Sequence, residues 1–542
     1  MMKEKTKTGL GILQSALLIG IAGDFLLREM PWGLNAFLWI GLISGAFWGL
    51  RYFRQRELFS NETLILNGAL LFFAATFLYR ASVSLLMLNV LAIFVIAAVL
   101  TLPALKLNPK ISGVSHYILG FVWSGINALV SPFLLAFSDI SWKGAENSGW
   151  KKTVFPIVRG VLIAAPLLIV FGVLFMAADA AFEGLIKRTL NIDFEEFIGH
   201  FLRIAFLSWF IAGYLRATLF GSLIPEYFSS SKPVSILQTE SNTPSETQPK
   251  RDWREFNSSW LPKSLTLGNI EIGIIWGLMN LLFLSFVIVQ LPYLFGGFEY
   301  VQNTENIRLA DYARRGVAEL GLVTILVLPV LLIGHWFLNR ENKATEKLFK
   351  IMAGIQIGLL FVIMISSAQR MILYTGNLGY GLTLERFYAM AFLAVLAAIF
   401  VWFAATILIG QRQNFAWGML WIALFTLGIL NIMNPEDFVL RTNFQLMQQG
   451  RQFDAHYNFS ELREDALPTA IEIMPSLDER QKCVAENELN WINHRLNDDV
   501  RLINWNYGRW KAKNALDKYK QTNGITGDMR KNCYQLYPEE NK

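Results

Sequence analysis

The sequence predicts an all-α protein: a polytopic transmembrane helical bundle of about twelve spans, followed by a small soluble helical C-terminal domain. Three observations carry this. The chain repeats apolar runs such as Ile274–Leu291 (IIWGLMNLLFLSFVIVQL) and Val317–Leu338 (VAELGLVTILVLPVLLIGHWFL), and a helix needs about 18–20 such residues to cross roughly 30 Å of hydrocarbon. Hydrophobic residues make up 54% of the 542 and charged residues only 17%, against about 25% charged in ordinary globular proteins. The charge is also segregated. From Asn434 onward there are 15 Lys and Arg against 17 Asp and Glu, and before it 33 against 25. A basic excess of that kind suits loops beside an anionic cytoplasmic leaflet. With no basic-aromatic groove or nucleic-acid motif beside it, no nucleic-acid partner is expected.

In chain order the expected spans are Leu10–Leu27, Leu34–Leu50, Leu64–Leu78, Ser84–Leu102, Tyr117–Phe137, Val154–Met176 and Phe201–Ile224, the last preceded by a polar interfacial helix at Ala177–Gly199. Then come Ile274–Leu291, Val317–Leu338, Ile351–Tyr374, Phe387–Ile409 and Ala416–Ile432. The basic head and apolar body at the start have the pattern of a signal peptide, but further spans follow at once, so an uncleaved first helix is expected. Pro225–Lys263 is rich in Ser, Thr, Pro and charge, cannot bury enough apolar surface to fold, and is read as a disordered linker. The expected units are therefore 1–224 (seven spans), the linker 225–263, 264–433 (five spans) and a soluble helical tail, 434–542. In the tail, Leu462, Ala466, Leu467, Ala470, Ile471 and Met474, and then Leu489, Ile492 and Leu496, recur at helical spacing.

Lys3, Lys5 and Lys7, then Arg51, Arg54 and Arg56, then Lys106 and Lys110 alternate with single arginines. This puts the N-terminus in the cytoplasm. The next loops conflict, because Arg308, Arg314 and Arg315 and then Arg340, Lys343, Lys347 and Lys350 fall in succession. Twelve spans place the tail in the cytoplasm; one more or one fewer places it outside. The only cysteines, Cys483 and Cys533, both lie in the tail. They are either a disulfide, which needs an oxidising compartment, or two unrelated thiols, and the sequence leaves both open.

Gly41, Gly45 and Gly49 form a small-residue stripe of the kind that lets helices pack closely, by default within the chain and otherwise between two copies. Ionisable residues in or beside the spans are Asp24, Arg159, Asp179, Glu271, Glu319, His335 and Arg370. Nearly all sit near span ends, where they reach water or snorkel. Tyr312-Ala-Arg-Arg-Gly is read first as a boundary anchor and second as a headgroup contact. His335 has no metal-ligand spacing around it, and P-loop, HExxH, GxSxG and dinucleotide patterns are absent from the sequence. No cofactor and no metal is expected.

Several ordered blocks resemble a bacterial family of multi-pass membrane proteins known only as a domain of unknown function, DUF4173 or the closely related DUF4153. They include Pro166–Ile186, Ile211–Phe220, Asn280–Gly297, Leu309–Ile333, Asn434–Gln445, Phe453–Ile473 and Asn504–Leu516. The resemblance implies a polytopic inner-membrane protein whose tail belongs to the same unit, and it supplies no catalytic residue. By their place in these blocks, Asp179, Asp311, Tyr312, Arg314, Arg315 and Glu319, with Arg370, become the candidate functional positions. The leading expectation is a non-enzymatic signalling or envelope-assembly component in contact with the lipid bilayer, with a protein partner on its tail. A transporter or flippase is the alternative, and a membrane-embedded transferase acting on lipid is the third reading.

Overall fold

The structure is a computed structural model that describes residues 4–55, 60–105, 107–140, 194–220, 266–295, 309–338, 342–376, 381–498, 501–523 and 533. The expected span at Val154–Met176, most of the Ala177–Gly199 helix and the 225–263 linker lie outside the described residues. Among the described residues, eleven long helices make the membrane part: α1 (Glu4–Leu27), α2 (Leu34–Leu50), α3 (Asn61–Tyr79), α4 (Val83–Val99), α5 (Val114–Leu134), α6 (Phe194–Phe220), α7 (Asn269–Phe295), α8 (Leu309–Trp336), α9 (Lys343–Gly376), α10 (Leu384–Phe403) and α11 (Phe415–Met433). Among the described residues, ten helices are long and apolar enough to cross a membrane, and α8 adds a shorter apolar stretch, Gly321–Trp336. No strand occurs among the described residues, so the protein is all-α and multi-pass.

The helices start and stop where local chemistry dictates. Ser60 caps α3 by accepting from the Thr63 amide at 3.3 Å. Asn434 ends α11 in the left-handed conformation (φ 59°) and at once caps the next helix, with Pro435 at that helix's first position. Proline suits that place because it has no N–H to leave unpaired.

Two apolar clusters fill much of the bundle. One joins α7 to α11 through residues such as Trp276, Leu331, Phe349, Phe400, Phe403 and Phe415. The other sets Leu66, Phe73, Ile96 and Val99 of α3 and α4 against Leu420 and Leu424 of α11. The stretches on either side of residues 225–263 therefore share a core. Within it, Asn89 and Asn431 exchange two hydrogen bonds (2.9 and 2.8 Å), and Asn89 also donates to Thr76 Oγ1 at 2.7 Å. That satisfies amides which would cost several kcal/mol if left bare in hydrocarbon.

The tail is five further helices: α12 (Pro435–Gln448), α13 (Ala455–Ser460), α14 (Leu467–Ile473), α15 (Glu479–Asp498) and α16 (Tyr507–Asn523). Their core contains Leu462, Ala466, Leu467, Ala470, Met474, Leu489, Ile492 and Leu496, with Ile471 half-buried beside it. The tail sits on one end of the bundle. At the opposite end Asp139 pairs with Lys5 (3.2 Å) and Arg216 (2.6 Å), which fastens the start of α1 to the end of α6. The start of α1 and the tail are thus at opposite ends of the bundle.

Candidate functional site

The feature that the fold builds most elaborately is the seam between tail and bundle. Helix ends leave backbone groups without intrahelical partners, and tail side chains take them up. Asp465 accepts from the amides of Ala81 (3.0 Å) and Ser82 (3.1 Å), capping α4 from another domain. Asn506 donates to the carbonyls of Phe77 and Arg80 at the end of α3 (2.7 and 2.8 Å). Asn443 exchanges two hydrogen bonds with the backbone of Leu382 just before α10. The Leu34 amide donates to the Trp505 carbonyl at 2.9 Å, and Arg509 donates to the carbonyls of Pro31, Trp32 and Asn504. From the bundle side, Arg80 donates to the carbonyls of Asn431 (2.5 Å) and Ile432 (2.8 Å) at the end of α11.

Two glycines permit this approach. A Cβ on Gly33 would lie 2.4 Å from the Trp505 carbonyl oxygen, and one on Gly508 would lie 2.3 Å from Asp465 Oδ1. The seam also buries acid. Glu436 is 2% exposed, and burial, reinforced by the nearby Asp465 carboxylate, pushes its carboxyl up to about 8. Burial likewise raises Asp465 to about 6, against the pull of the Arg80 guanidinium and the two amides. Glu436 is therefore a neutral acid at pH 7.

A second polar cluster lies where α1 ends and α6 begins. Asp24 Oδ2 is 2.5 Å from His200 Nδ1, and Asp24 Oδ1 accepts from Arg203 Nε at 2.7 Å. Arg28 lies 3.1 Å from His200 Nε2 and 3.8 Å from a Glu196 oxygen, and Arg501 of the tail pairs with Glu29.

The residues singled out from sequence fall as follows. Asp311, Tyr312, Arg314, Arg315 and Glu319 lie in the first three turns of α8, and Arg370 is half-buried in the last two turns of α9. Helix α8 runs away from the tail and α9 runs toward it, so both groups belong to the tail's end of the bundle. Asp179 lies outside the described residues. Among the described residues, a Cβ on Gly41, Gly45 or Gly49 would meet no atom within 4 Å. Helix α2 instead packs through the next face, where Ser44 donates to Asn67 of α3 at 2.9 Å and Phe47 is buried. Cys483 of α15 and Cys533 are joined by a disulfide that closes a 50-residue separation. No group of three or more His, Cys, Asp or Glu is arranged to hold a metal among the described residues.

Asp465, Glu436, Arg80 and the asparagines of the seam were not singled out, although two of the family-like blocks, NPEDFVLRTNFQ and FDAHYNFSELREDALPTAIEI, contain several of them. Fold and seam define a multi-pass integral membrane protein whose helical tail is capped onto its bundle. The chain belongs to the family described as Domain of unknown function (DUF4153), whose profile matches residues 68–473, about three quarters of the chain. No curated protein and no solved structure matches it.

Proposed function

We propose that this protein is a non-enzymatic signalling or envelope-assembly component of a bacterial inner membrane, with its N-terminus in the cytoplasm and its tail outside. The observation that carries the reading is the seam. A tail tied by buried side chains to the ends of α3, α4, α10 and α11 moves with those helices, so a partner gripping the tail acts on the bundle.

The orientation draws support from charge and from sulfur. Lys5, Lys7, Arg51, Lys110, Lys343, Lys347, Lys350 and Arg412 belong to the end away from the tail, where the positive-inside rule puts the cytoplasm. The tail's side of the bundle carries Arg28, Arg80, Arg203, Arg314, Arg315, Arg370 and Arg386 but no lysine among the described residues, and the disulfide suits an oxidising compartment. An odd number of crossings accommodates both, and it also separates the two basic groups that conflicted in sequence. The test joins two measurements. Fusions at the C-terminus should activate a reporter that works only outside the cytoplasm. A photo-crosslinking amino acid at exposed Trp491 in intact cells should give a discrete protein adduct. A cytoplasmic tail, or adducts to lipid alone, would refute the proposal.

A transporter keeps one observation in its favour. Gln356 is 1% exposed within α9, and neither of its amide atoms meets a hydrogen-bond partner among the described residues. An amide left bare in a span is costly, and such residues mark ligand paths in membranes.

A further inference from the structure

The Asp24–His200 cluster opens into a cleft of about 370 Å³, floored by the end of α1 and the start of α6 and roofed by tail residues Arg501, Leu502 and Ile503. We infer that this cleft binds the headgroup of a zwitterionic, amine-bearing phospholipid of the phosphoethanolamine class, from the leaflet on the tail's side. The argument starts with what leads into it. On α1, Leu18, Ile21 and Phe25 form an exposed row at helical spacing, ending one turn below Arg28. On α6, Leu202, Phe206 and Phe210 form a second exposed row that starts two residues past His200 and one residue before Arg203. Two rows of apolar side chains thus run from the bilayer to one charged cluster, which is the path an acyl chain takes to its headgroup.

The roof has matching chemistry. Leu502 is 88% exposed, and it lines the cleft beside Phe25. It offers an apolar contact at the depth of the glycerol and upper chain. The charges are of both signs and are separated by role. Asp24 is occupied in holding His200 and Arg203, so it orients the floor. The rim presents the guanidiniums of Arg28 and Arg501 and the carboxylates of Glu29 and Glu196. Guanidiniums match phosphate oxygens, and carboxylates match a primary ammonium. Arg501 is 72% exposed on its side chain. Solvent-exposed pairs of this kind are worth about 0–1 kcal/mol, so the rim pairs exchange readily for a ligand carrying both charges. An anionic headgroup would satisfy the arginines and repel the carboxylates, whereas an amine-bearing zwitterion satisfies all four.

The test uses the full chain in detergent and native mass spectrometry, with phosphatidylethanolamine, phosphatidylglycerol and phosphatidylcholine of identical chains, and free phosphoethanolamine. Phosphatidylethanolamine adducts should exceed phosphatidylglycerol adducts by about fivefold, near the upper end of what an exposed charge contact supplies. That excess should vanish in R28Q/R501Q and in E29Q/E196Q. L502N, at an exposed position that leaves the core intact, should lower adducts of the lipid, and it serves if a double variant misfolds. Equal or greater binding of phosphatidylglycerol, or wild-type occupancy in the charge variants and L502N, overturns the inference. Free phosphoethanolamine binding as well as the lipid overturns the lipid as occupant.

Discussion

Asp465 of the tail holds the backbone amides of Ala81 and Ser82, which have no other partner among the described residues once it is gone. D465A should lower the stability of the tail's docking by about 1–3 kcal/mol, the cost of buried donors left unpaired. The check is thermal unfolding in detergent, with limited proteolysis to show the tail released first. Glu436 gives the seam a pH dependence whose sign follows from its raised pKa. In the unfolded chain it titrates near its ordinary 4.5 and in the folded chain near 8. The folded state therefore binds the proton more tightly. Its contribution is fully present below about pH 4.5 and is lost as pH rises through 8, amounting to a few kcal/mol at most. Asp465 shifts in the same direction over a lower range. Wild-type melting temperature should fall between pH 5 and 9 more steeply than that of E436Q, and parallel slopes would show that Glu436 is not the group responsible. Gln356 separates two readings at one atom pair. If its amide is simply bare, Q356L stabilises the protein by about 1–3 kcal/mol. A loss of stability instead indicates that a water or ligand satisfies it.

Among the elements, the spans were legible because hydropathy needs no tertiary information: a run of apolar residues the length of a bilayer has few other uses. The helical pattern of Leu489, Ile492 and Leu496 was legible for the same reason. The seam was not. Asn89, Asn431, Asn443 and Asn506 are single polar residues whose partners are hundreds of positions away or are backbone atoms, and neither leaves a periodicity. Gly33 and Gly508 look like ordinary turn and helix-start glycines until the tail backbone is seen against them. The Gly41–Gly45–Gly49 stripe meets no atom within 4 Å among the described residues, and spacing states only that a helix could be approached there. Replacing Gly508 by Leu should undock α16 at a cost of about 1–3 kcal/mol, typical of overpacking, read as faster protease cleavage of the tail in the intact chain. Within the tail, C483S/C533S should cost about 2–4 kcal/mol by freeing the chain between them, measured as denaturant midpoint with and without reductant.

At the scale of the whole molecule, the start of α1 and the tail lie at opposite ends, and the charged residues of those ends differ in sign balance. A chain inserted by the positive-inside rule and locked by a disulfide needs both facts to agree. Cysteine-directed labelling of intact cells should leave Cys483 and Cys533 unmodified until a reductant that cannot cross the membrane is added; labelling without reductant would break the topology.

The contact between the last described helix and the first hairpin also fixes an order of assembly. Leu34 and the carbonyls of Phe77 and Arg80 wait for Trp505 and Asn506, more than 400 residues downstream. During synthesis α1 to α4 enter the bilayer long before their caps exist, so their ends on the tail's side stay open to water, chaperones or proteases until Trp505 and Asn506 have been made. A chain stopped short of Trp505 would keep α1 to α11 and lose these caps, which gives membrane quality control a direct way to detect the interruption.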